Sequence, residues 1–206
     1  MTTRSLVVLS GGVSQPSSSR LLADRLTSAT VSALAARGLN TEVRTVDLRD
    51  LAHATVDATL TGFASGPLRE VLDALASADG VVLVSPVFGA SVAGLVKSFL
   101  DVLEPGTLDG VPVLLGATGG TARHSLALEY ALRPTLAYLR AAVVPTAVFA
   151  ATDDWAEAGS DDLRPLPDRI DRAGTELAAA VAERGHVDTA GLFDDVPSFS
   201  DLLGGA

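Results

Sequence analysis

Short apolar runs alternate along this chain with longer segments in which apolar residues recur every three or four positions. Gly80–Val84 is a continuous apolar run bounded by turn residues, a pattern typical of a strand buried on both faces. Pro86 is expected to end this strand, because proline has no N–H to donate to a neighbouring strand. After Gly89 the spacing becomes that of one helix face, with apolar residues at Val92, Leu95, Phe99, Val102 and Leu103.

The same patterns predict four more strands and four more helices. The strands lie at Leu6–Leu9, Thr41–Val46, Val111–Ala117 and Val143–Ala150. The helices are marked by apolar residues within Leu22–Ala33, Leu68–Leu75, His124–Arg140 and Leu166–Arg184. Leu48–Ser65 has no clean period, and we predict that it is a long loop near the functional site.

Strands that alternate with helices predict a parallel sheet covered on both faces, because each crossover between parallel strands is right-handed. The predicted fold is α/β, a flavodoxin-like doubly wound five-stranded parallel sheet with strand order 2-1-3-4-5. We expect residues 1–185 to form a single domain and residues 186–206 to form a C-terminal tail. In this order the first, third and fourth strands are neighbours. The loops that follow them are rich in Gly, Ser and Thr, and should meet at one crevice.

Composition limits the classes of function. The 206 residues, of which 48% are hydrophobic, suit one compact domain. A net charge of −10 and a single lysine, Lys97, argue against nucleic acid as a partner, because neutralising phosphates requires clustered basic residues. The absence of cysteine excludes disulfides and thiolate chemistry. No apolar run approaches the roughly 20 residues of a membrane helix, so we expect a cytoplasmic protein with no membrane partner.

The loop after the first strand, Ser10–Ser19, contains five serines among its ten residues. Hydroxyl groups and the free N–H groups of a following helix can hold a phosphate dianion without a cation. The loop matches neither G-x-x-x-x-G-K-[ST] nor G-x-G-x-x-G. A polar turn that caps the next helix would use the same residue types, so both interpretations remain open at this point.

A second candidate for chemistry is Gly89–Ala93, which nearly matches the G-x-S-x-G elbow of serine hydrolases, with Ser91 as the nucleophile. Such an enzyme needs an acid and then a histidine later in the chain. Only His124 and His186 follow, and no strand is predicted before His186. We therefore interpret Ser91 as a loop hydroxyl or a helix cap. No spacing of His, Asp and Glu residues suggests a metal site.

Three segments taken together resemble one family. They are Ser10-Gly-Gly followed by Pro16-Ser-Ser-Ser, then Ser85-Pro-Val-Phe-Gly-Ala-Ser with the helix to Leu103, then Ala117-Thr-Gly-Gly-Thr-Ala-Arg-His with Leu-Arg-Pro134. This combination is similar to the NAD(P)H-dependent FMN reductases. The closest branch supplies reduced flavin to two-component monooxygenases of the alkanesulfonate and luciferase-like type. The resemblance extends from about Leu6 to Ala150.

The resemblance implies a fold, an activity and a set of site residues. The implied activity is hydride transfer from NADH or NADPH to FMN, with a flavin-dependent monooxygenase as partner and a homodimer or homotetramer as the assembly. The flavin itself carries the chemistry, so no catalytic side chain and no metal are expected. The residues implied to bind FMN are Ser10, Ser17, Ser18 and Ser19 at the phosphate, Pro86, Val87, Phe88 and Gly89 at the isoalloxazine, and Thr118, Gly119 and Gly120 at the pyrimidine edge.

Two alternatives share this fold. One is an NAD(P)H-dependent quinone or azo reductase that keeps FMN bound, and the other is a flavodoxin-type electron carrier without nicotinamide activity. Phe88 stands where the family more often has tyrosine, and Gly89 where a longer residue is often found. The resemblance therefore implies a change in nicotinamide access or in flavin retention. The sequence does not distinguish NADH from NADPH, although Arg123 is a candidate contact for a 2′-phosphate.

Pro134 lies inside the predicted helix His124–Arg140 and cannot donate to the carbonyl of Tyr130. The helix is therefore predicted to open near Tyr130, as a kink or as a one-residue π-bulge. The reductases that serve monooxygenases have an inserted residue at the matching position, and the resemblance implies such a bulge here. Leu126 and Tyr130 lie on a different side of this helix from its other apolar residues, which suggests a second burial partner.

Overall fold

The computed structural model of the protein describes residues 2–155 and 165–184, and within them one sheet organises the chain. Its parallel strands run in the order β2-β1-β3-β5-β6, which corresponds to the predicted order 2-1-3-4-5, and β7 also pairs with β5. The predicted doubly wound sheet is thus confirmed, whereas the predicted tail lies outside the described residues. The strands are β1 (Thr3–Ser10), β2 (Asn40–Asp47), β3 (Gly80–Phe88), β4 (Ser91–Val92), β5 (Pro112–Gly119), β6 (Ala142–Val143) and β7 (Val148–Ala151).

Helices cover both faces of the sheet because successive side chains of each buried strand point to opposite faces. Leu6 and Val8 of β1 pack with α1 and α6, whereas Val7 and Leu9 pack with α3 and α4. No helix in the described ranges is both long enough and apolar enough to span a membrane. The helices are α1 (Ser18–Ala35), α2 (Ala52–Thr61), α3 (Gly66–Ala76), α4 (Gly94–Asp101), α5 (Arg133–Tyr138) and α6 (Leu166–Glu183).

The segment Leu48–Ser65, predicted as a long loop, is mostly helical. A 3₁₀ turn spans Leu48–Leu51 and α2 follows it directly. The buried positions are Leu48, Leu51, Thr55 and Ala58, which have helical spacing. The prediction was wrong because a threonine and an alanine occupy two of the positions that face the core, so no large apolar stripe marks the helix.

Pro86 does not end β3, which continues to Phe88. The pairing of β3 with β1 stops where Val84 lies opposite Ser10, so at Pro86 the strand has β5 alone as its parallel neighbour. A proline is tolerated at such an open edge because no ladder bond is lost on the open side. The chain then turns back into β4, and for this reason α4 begins only at Gly94, later than the apolar spacing indicated.

The predicted last strand, Val143–Ala150, is divided into β6 and β7 on either side of Pro145. Both pieces pair in parallel with β5, at opposite ends of that strand. The connector is held from α6, because Glu176 accepts hydrogen bonds from the amide and the hydroxyl of Thr146 at 2.7 and 2.8 Å. Burial alone would raise the pKa of Glu176, but hydrogen bonds from Arg172 and Thr146 outweigh it and lower that pKa.

Close packing of α6 on α1 sets how deeply α1 sits on the sheet. A Cβ atom at Gly174 in α6 would lie 2.7 Å from the Cβ of Ala29 and 2.9 Å from the backbone nitrogen of Thr30. Two of the nearest atoms belong to the α1 backbone and cannot move aside independently of that helix. A side chain at this position would therefore displace α1, whose N-terminus lies beside the end of β1.

We expect Gly174→Ala to lower the free energy of unfolding by about 1–2 kcal/mol. Overpacking costs about 1–3 kcal/mol and is only partly offset by the better helix propensity of alanine, about 1 kcal/mol. Urea unfolding followed by circular dichroism measures the change. Thr175→Ala, an exposed position in the same helix, should stay within about 0.5 kcal/mol of the parent protein. Equal stability of Gly174→Ala and the parent protein would contradict the close approach.

Candidate functional site

The loop after β1 lies directly against the end of β3. The amide of Gly11 donates to the carbonyl of Val84 at 2.8 Å, one step beyond the last β1–β3 pair. A Cβ atom at Gly11 would collide with the side chain of Val96 and would lie 3.2 Å from the Cδ of Pro86. A Cβ atom at Gly12 would collide with the hydroxyl of Ser17. Both glycines are therefore needed for the backbone to approach this closely, and sequence reasoning had missed them, although the Gly-Gly pair directly after a strand was a usable signal.

The four serines predicted to bind a phosphate lie in this loop and the first turn of α1, with different roles. Ser17 has extended backbone angles and its hydroxyl accepts a hydrogen bond from the amide of Arg20 at 3.2 Å, so it is the N-cap of α1. Ser18 is exposed at the first position of the helix. Ser19 is buried, and its hydroxyl forms a 2.7 Å hydrogen bond with the hydroxyl of Thr118 at the end of β5.

Ser10 differs from the other serines in having an unsatisfied hydroxyl. Its side chain is fully buried, and its Oγ has no hydrogen-bond partner among the described residues. A buried hydroxyl without a partner costs roughly 1–3 kcal/mol of desolvation, so it calls for an explanation. The side chain lies at the N-terminal end of α1, on the same face of the sheet as Leu6 and Val8.

The end of β3 forms a tight hairpin with β4. Gly89 and Ala90 connect the strands and have φ angles of 56° and 62°, the left-handed conformation typical of a two-residue hairpin turn. The amide of Ala93 donates to both the Oγ of Ser85 and the carbonyl of Pro86, which fixes the base of the hairpin. Phe88 is 52% exposed at the rim of the crevice. Ser85 is a structural residue of the site that sequence reasoning did not single out.

The loop after β5 lies beside this hairpin. Thr118 pairs in register with Pro86, and a Cβ atom at Gly119 would lie 2.9 Å from the ring of Phe149 and 3.7 Å from the Cβ of Val87. Gly120, by contrast, has no atom within 4 Å of its Cβ position and borders open space. The predicted residues Thr118 and Gly119 therefore lie directly beside the β3–β4 hairpin, and Gly120 lies at the surface next to them. The convergence of the three loops is as the sequence predicted.

Ser91 does not occupy a nucleophile elbow. It lies in β4, opposite Phe88, three residues before α4 begins, whereas an elbow places serine at a sharp turn from strand into helix. No histidine in the described ranges hydrogen-bonds to Ser91, and no group of His, Asp and Glu side chains there could hold a metal ion. The geometry supports a site that binds a ligand through backbone amides, hydroxyls and an aromatic rim.

The segment before α5 is a π-helix over Leu128–Leu132, as the position of Pro134 predicted. The amide of Arg133 donates to the carbonyl of Leu128, five residues earlier, which is the hydrogen bond that defines a π-turn. Tyr130 lies in the middle of this segment and is 79% exposed, so its ring points away from the core. Leu126 is also exposed, whereas Leu128 and Leu132 are buried.

A comparison with known protein families identifies this arrangement. The family model described as NADPH-dependent FMN reductase matches residues 4–156, which contain all three loops and the π-helix. The chain is a member of the NADPH-dependent FMN reductase family. It is therefore an oxidoreductase that uses NAD(P)H to reduce FMN.

Relatives of this reductase differ in the nicotinamide nucleotide they use. The FMN reductase (NADPH) of Pseudomonas aeruginosa is 38% identical over 179 residues, which cover 84% of this chain and 90% of that protein. The NADH-dependent FMN reductase SfnF of Pseudomonas putida is 36% identical over 148 residues, which cover 72% and 77%. The crystal structure of an oxidoreductase from Corynebacterium diphtheriae superposes with a TM-score of 0.84 at 44% identity and covers 90% of this chain and 100% of that one.

The close approach at Gly12 can be tested directly in the reductase. We expect Gly12→Ala to weaken FMN binding, because the added methyl group displaces the N-cap hydroxyl of Ser17 and disturbs the first turn of α1. Quenching of flavin fluorescence measures the dissociation constant. Gly94→Ala is the matched control, since a Cβ atom there meets no other atom within 4 Å. Equal FMN affinity in the two variants would show that the loop accommodates the methyl group without weakening FMN binding.

Proposed function

We propose that the crevice between the three loops binds FMN with its phosphate at the serine loop and its isoalloxazine ring between the β3–β4 hairpin and the β5 loop. In this arrangement Ser10, Ser17, Ser18 and Ser19 surround the phosphate. The ring lies against the side formed by Pro86, Val87, Phe88 and Gly89. Its pyrimidine edge faces the other side, formed by Thr118, Gly119 and Gly120.

Features of the loop itself support a phosphate there. The buried Oγ of Ser10 lacks a partner in the described structure, and a phosphate oxygen would supply one. The amides of Ser18 and Ser19 are in the first turn of α1, where N–H groups have no intrahelical acceptor. The first turn of α1 contains no acidic residue, so nothing opposes the positive end of the helix dipole. Gly11 and Gly12 let the loop backbone lie directly against Val96 and Ser17, where a side chain would collide.

The flavin, when bound, supplies the redox chemistry by accepting a hydride from the reduced nicotinamide. The chain's own contribution is to orient the two ring systems and to restrict water. Phe88 presents an exposed aromatic face at the rim, and the rigid Gly89-Ala90 turn fixes its position. Gly120 leaves open space on the opposite side, through which a second ring can enter. No side chain is required as an acid or a base.

FMN is proposed to exchange as a substrate, with the reduced form passing to a flavin-dependent monooxygenase. The supporting observation is the π-helix at Leu128–Leu132, which turns the ring of Tyr130 outward where a regular helix would continue. We further propose that Leu126 and Tyr130, both exposed and on the face away from the core, contribute to the interface of a homodimer or homotetramer. The family resemblance supports the monooxygenase partner, and this exposed surface supports the assembly.

Steady oxidation of NADPH that depends on added FMN tests the proposed function. We expect a lower KM for FMN than for riboflavin, because the serine loop contributes only when a phosphate is present and hydrogen bonds to a charged group are worth about 1.5–3 kcal/mol each. Ser10→Ala should weaken FMN binding and leave riboflavin binding unchanged. It removes no hydrogen bond within the described structure, so stability should not fall.

Thr55→Ala is the matched control for Ser10→Ala, because Thr55 also has a buried hydroxyl without a partner among the described residues but lies in α2. Equal affinities for FMN and riboflavin would disprove the assignment of the serine loop. Activity that requires no added FMN in a protein that purifies yellow would favour instead a quinone or azo reductase with bound FMN. Reduction of bound FMN by dithionite but not by NADPH would indicate an electron carrier.

Deletion of Tyr130 should convert the enzyme to a flavin-retaining form. Removing one residue restores regular helical spacing before Pro134, so the wide turn of the π-helix is lost. We expect a yellow purified protein with poor turnover of added FMN, measured by its absorbance spectrum and by NADPH oxidation. Tyr130→Ala keeps the extra residue and should purify colourless and active. A colourless, fully active deletion variant would rule out the role of the inserted residue.

A further inference from the structure

The arginines near the carboxyl ends of the strands differ in whether they already form an ion pair with a carboxylate. Arg20, next to the serine loop, pairs with Asp24 at 2.9 Å and with Asp47 at 2.7 Å. The hydrogen bond that Arg20 donates to Asp24 raises the pKa of Arg20 against the effect of burial, and the charge of Asp47 adds to the rise. Arg49 pairs with Asp50 and donates to the carbonyl of Val13. The positive charges nearest the serine loop are therefore held by neighbouring carboxylates.

Three other arginines at this edge of the sheet also have partners. Arg133 forms two hydrogen bonds to Glu129, and Arg169 pairs with Asp154 at 2.6 Å. Arg25 stacks over the ring of Trp155, 5.0 Å from its centroid. Each of these arginines would have to give up an existing ion pair or ring contact in order to bind a substrate.

Arg123 is the exception at this edge. It is exposed and has no ion pair, hydrogen bond or ring contact with any described residue. The carboxylates of Glu129 and Asp154, in the segments that follow β5 and β7, pair with Arg133 and Arg169 instead. The side chain of His124 beside it is likewise exposed and has no hydrogen bond or ion pair with any described residue. In a chain with a net charge of −10, an arginine without an ion-pair partner next to the proposed site indicates a role in binding an anionic ligand.

Arg123 lies beyond the end of β5, on the opposite side from the serine loop. It is in the 3₁₀ turn Ala122–His124, four residues beyond Gly119, and this turn packs beside β7. Four residues span at most about 15 Å, so Arg123 is within reach of the Gly119–Gly120 end of the proposed site. A dinucleotide whose nicotinamide enters past Gly120 carries its adenosine half outside the crevice, on this side.

We infer that Arg123, assisted by His124, binds the 2′-phosphate of NADPH and gives this enzyme a preference for NADPH over NADH. This inference rests on the proposed placement of FMN in the crevice. Guanidinium is suited to the role because its planar N–H groups bind two phosphate oxygens at once, and no neighbouring carboxylate of the described structure competes for them. The relatives include both NADPH and NADH enzymes at similar identity, so the preference has to depend on individual residues of this kind.

Arg123→Ala tests this inference, with Arg37→Ala as the matched control. Arg37 is exposed and has no partner among the described residues, but it follows α1 at the amino end of the sheet, far from the crevice. We expect Arg123→Ala to raise the KM for NADPH roughly 10- to 100-fold, as expected for the loss of hydrogen bonds to a charged group, with little change for NADH or FMN. Arg123→Lys should recover part of the loss, since lysine keeps the charge without the two-pronged geometry.

A binding measurement separates this role from any effect on turnover. Calorimetric titration with adenosine 2′,5′-bisphosphate and with 5′-AMP should show tighter binding of the bisphosphate to the parent protein, weakened by added salt, and no such difference in Arg123→Ala. An equal rise in KM for NADH and NADPH would overturn the inference in favour of a pyrophosphate contact. A rise for FMN alone would overturn it in favour of the flavin phosphate. If NADH still reduces FMN normally in Arg123→Ala, the proposed function stands whatever the outcome for NADPH.

Discussion

The parallel pairing of β3 with β1 on one side and β5 on the other determines where every loop of the site lies. Ser10 is opposite Val84, Val84 is opposite Gly116, and Pro86 is opposite Thr118. Because the strands end at neighbouring levels, the backbone at Gly11 can bond to β3 and the first turn of α1 can reach Thr118. A shift of β3 by one residue would turn its core side chains to the other face of the sheet and separate these loops.

An acidic protein can bind a dianionic ligand when the positive potential comes from the backbone. In this reductase the N-terminal turn of α1 carries hydroxyls and free amides but no acidic residue, and Arg20 is held by Asp24 and Asp47. The proposed phosphate site therefore depends on oriented dipoles, whose effect is confined to the end of the helix. The carboxylates nearest this turn, Asp24 and Asp47, are neutralised by Arg20.

Strong local patterns predicted most of the fold and the three loops of the candidate site. The opening of the helix near Tyr130 followed from covalent structure, since Pro134 lacks the N–H that a regular helix requires, and the π form is one of the two that were predicted. Helix α2 was missed because Thr55 and Ala58 replace large apolar residues on its buried face. The β3–β4 hairpin was missed because its two-residue turn is too short to interrupt the pattern, and β3 itself was thought to end at Pro86. The hydrogen bond between Ser19 and Thr118 joins residues 99 positions apart, so no local sequence pattern could predict it.

The surroundings of the π-helix limit how it can influence flavin exchange. Arg133 forms two hydrogen bonds to Glu129 inside the π-segment and donates to the carbonyls of Val144 and Pro145, so the segment is tied to the connector between β6 and β7. Leu128 and Leu132 remain buried on either side of Tyr130. A segment fixed in this way does not act by local melting. Its influence on exchange has to come from the wider helical turn that the inserted residue imposes, which Tyr130→Ala keeps and deletion of Tyr130 removes.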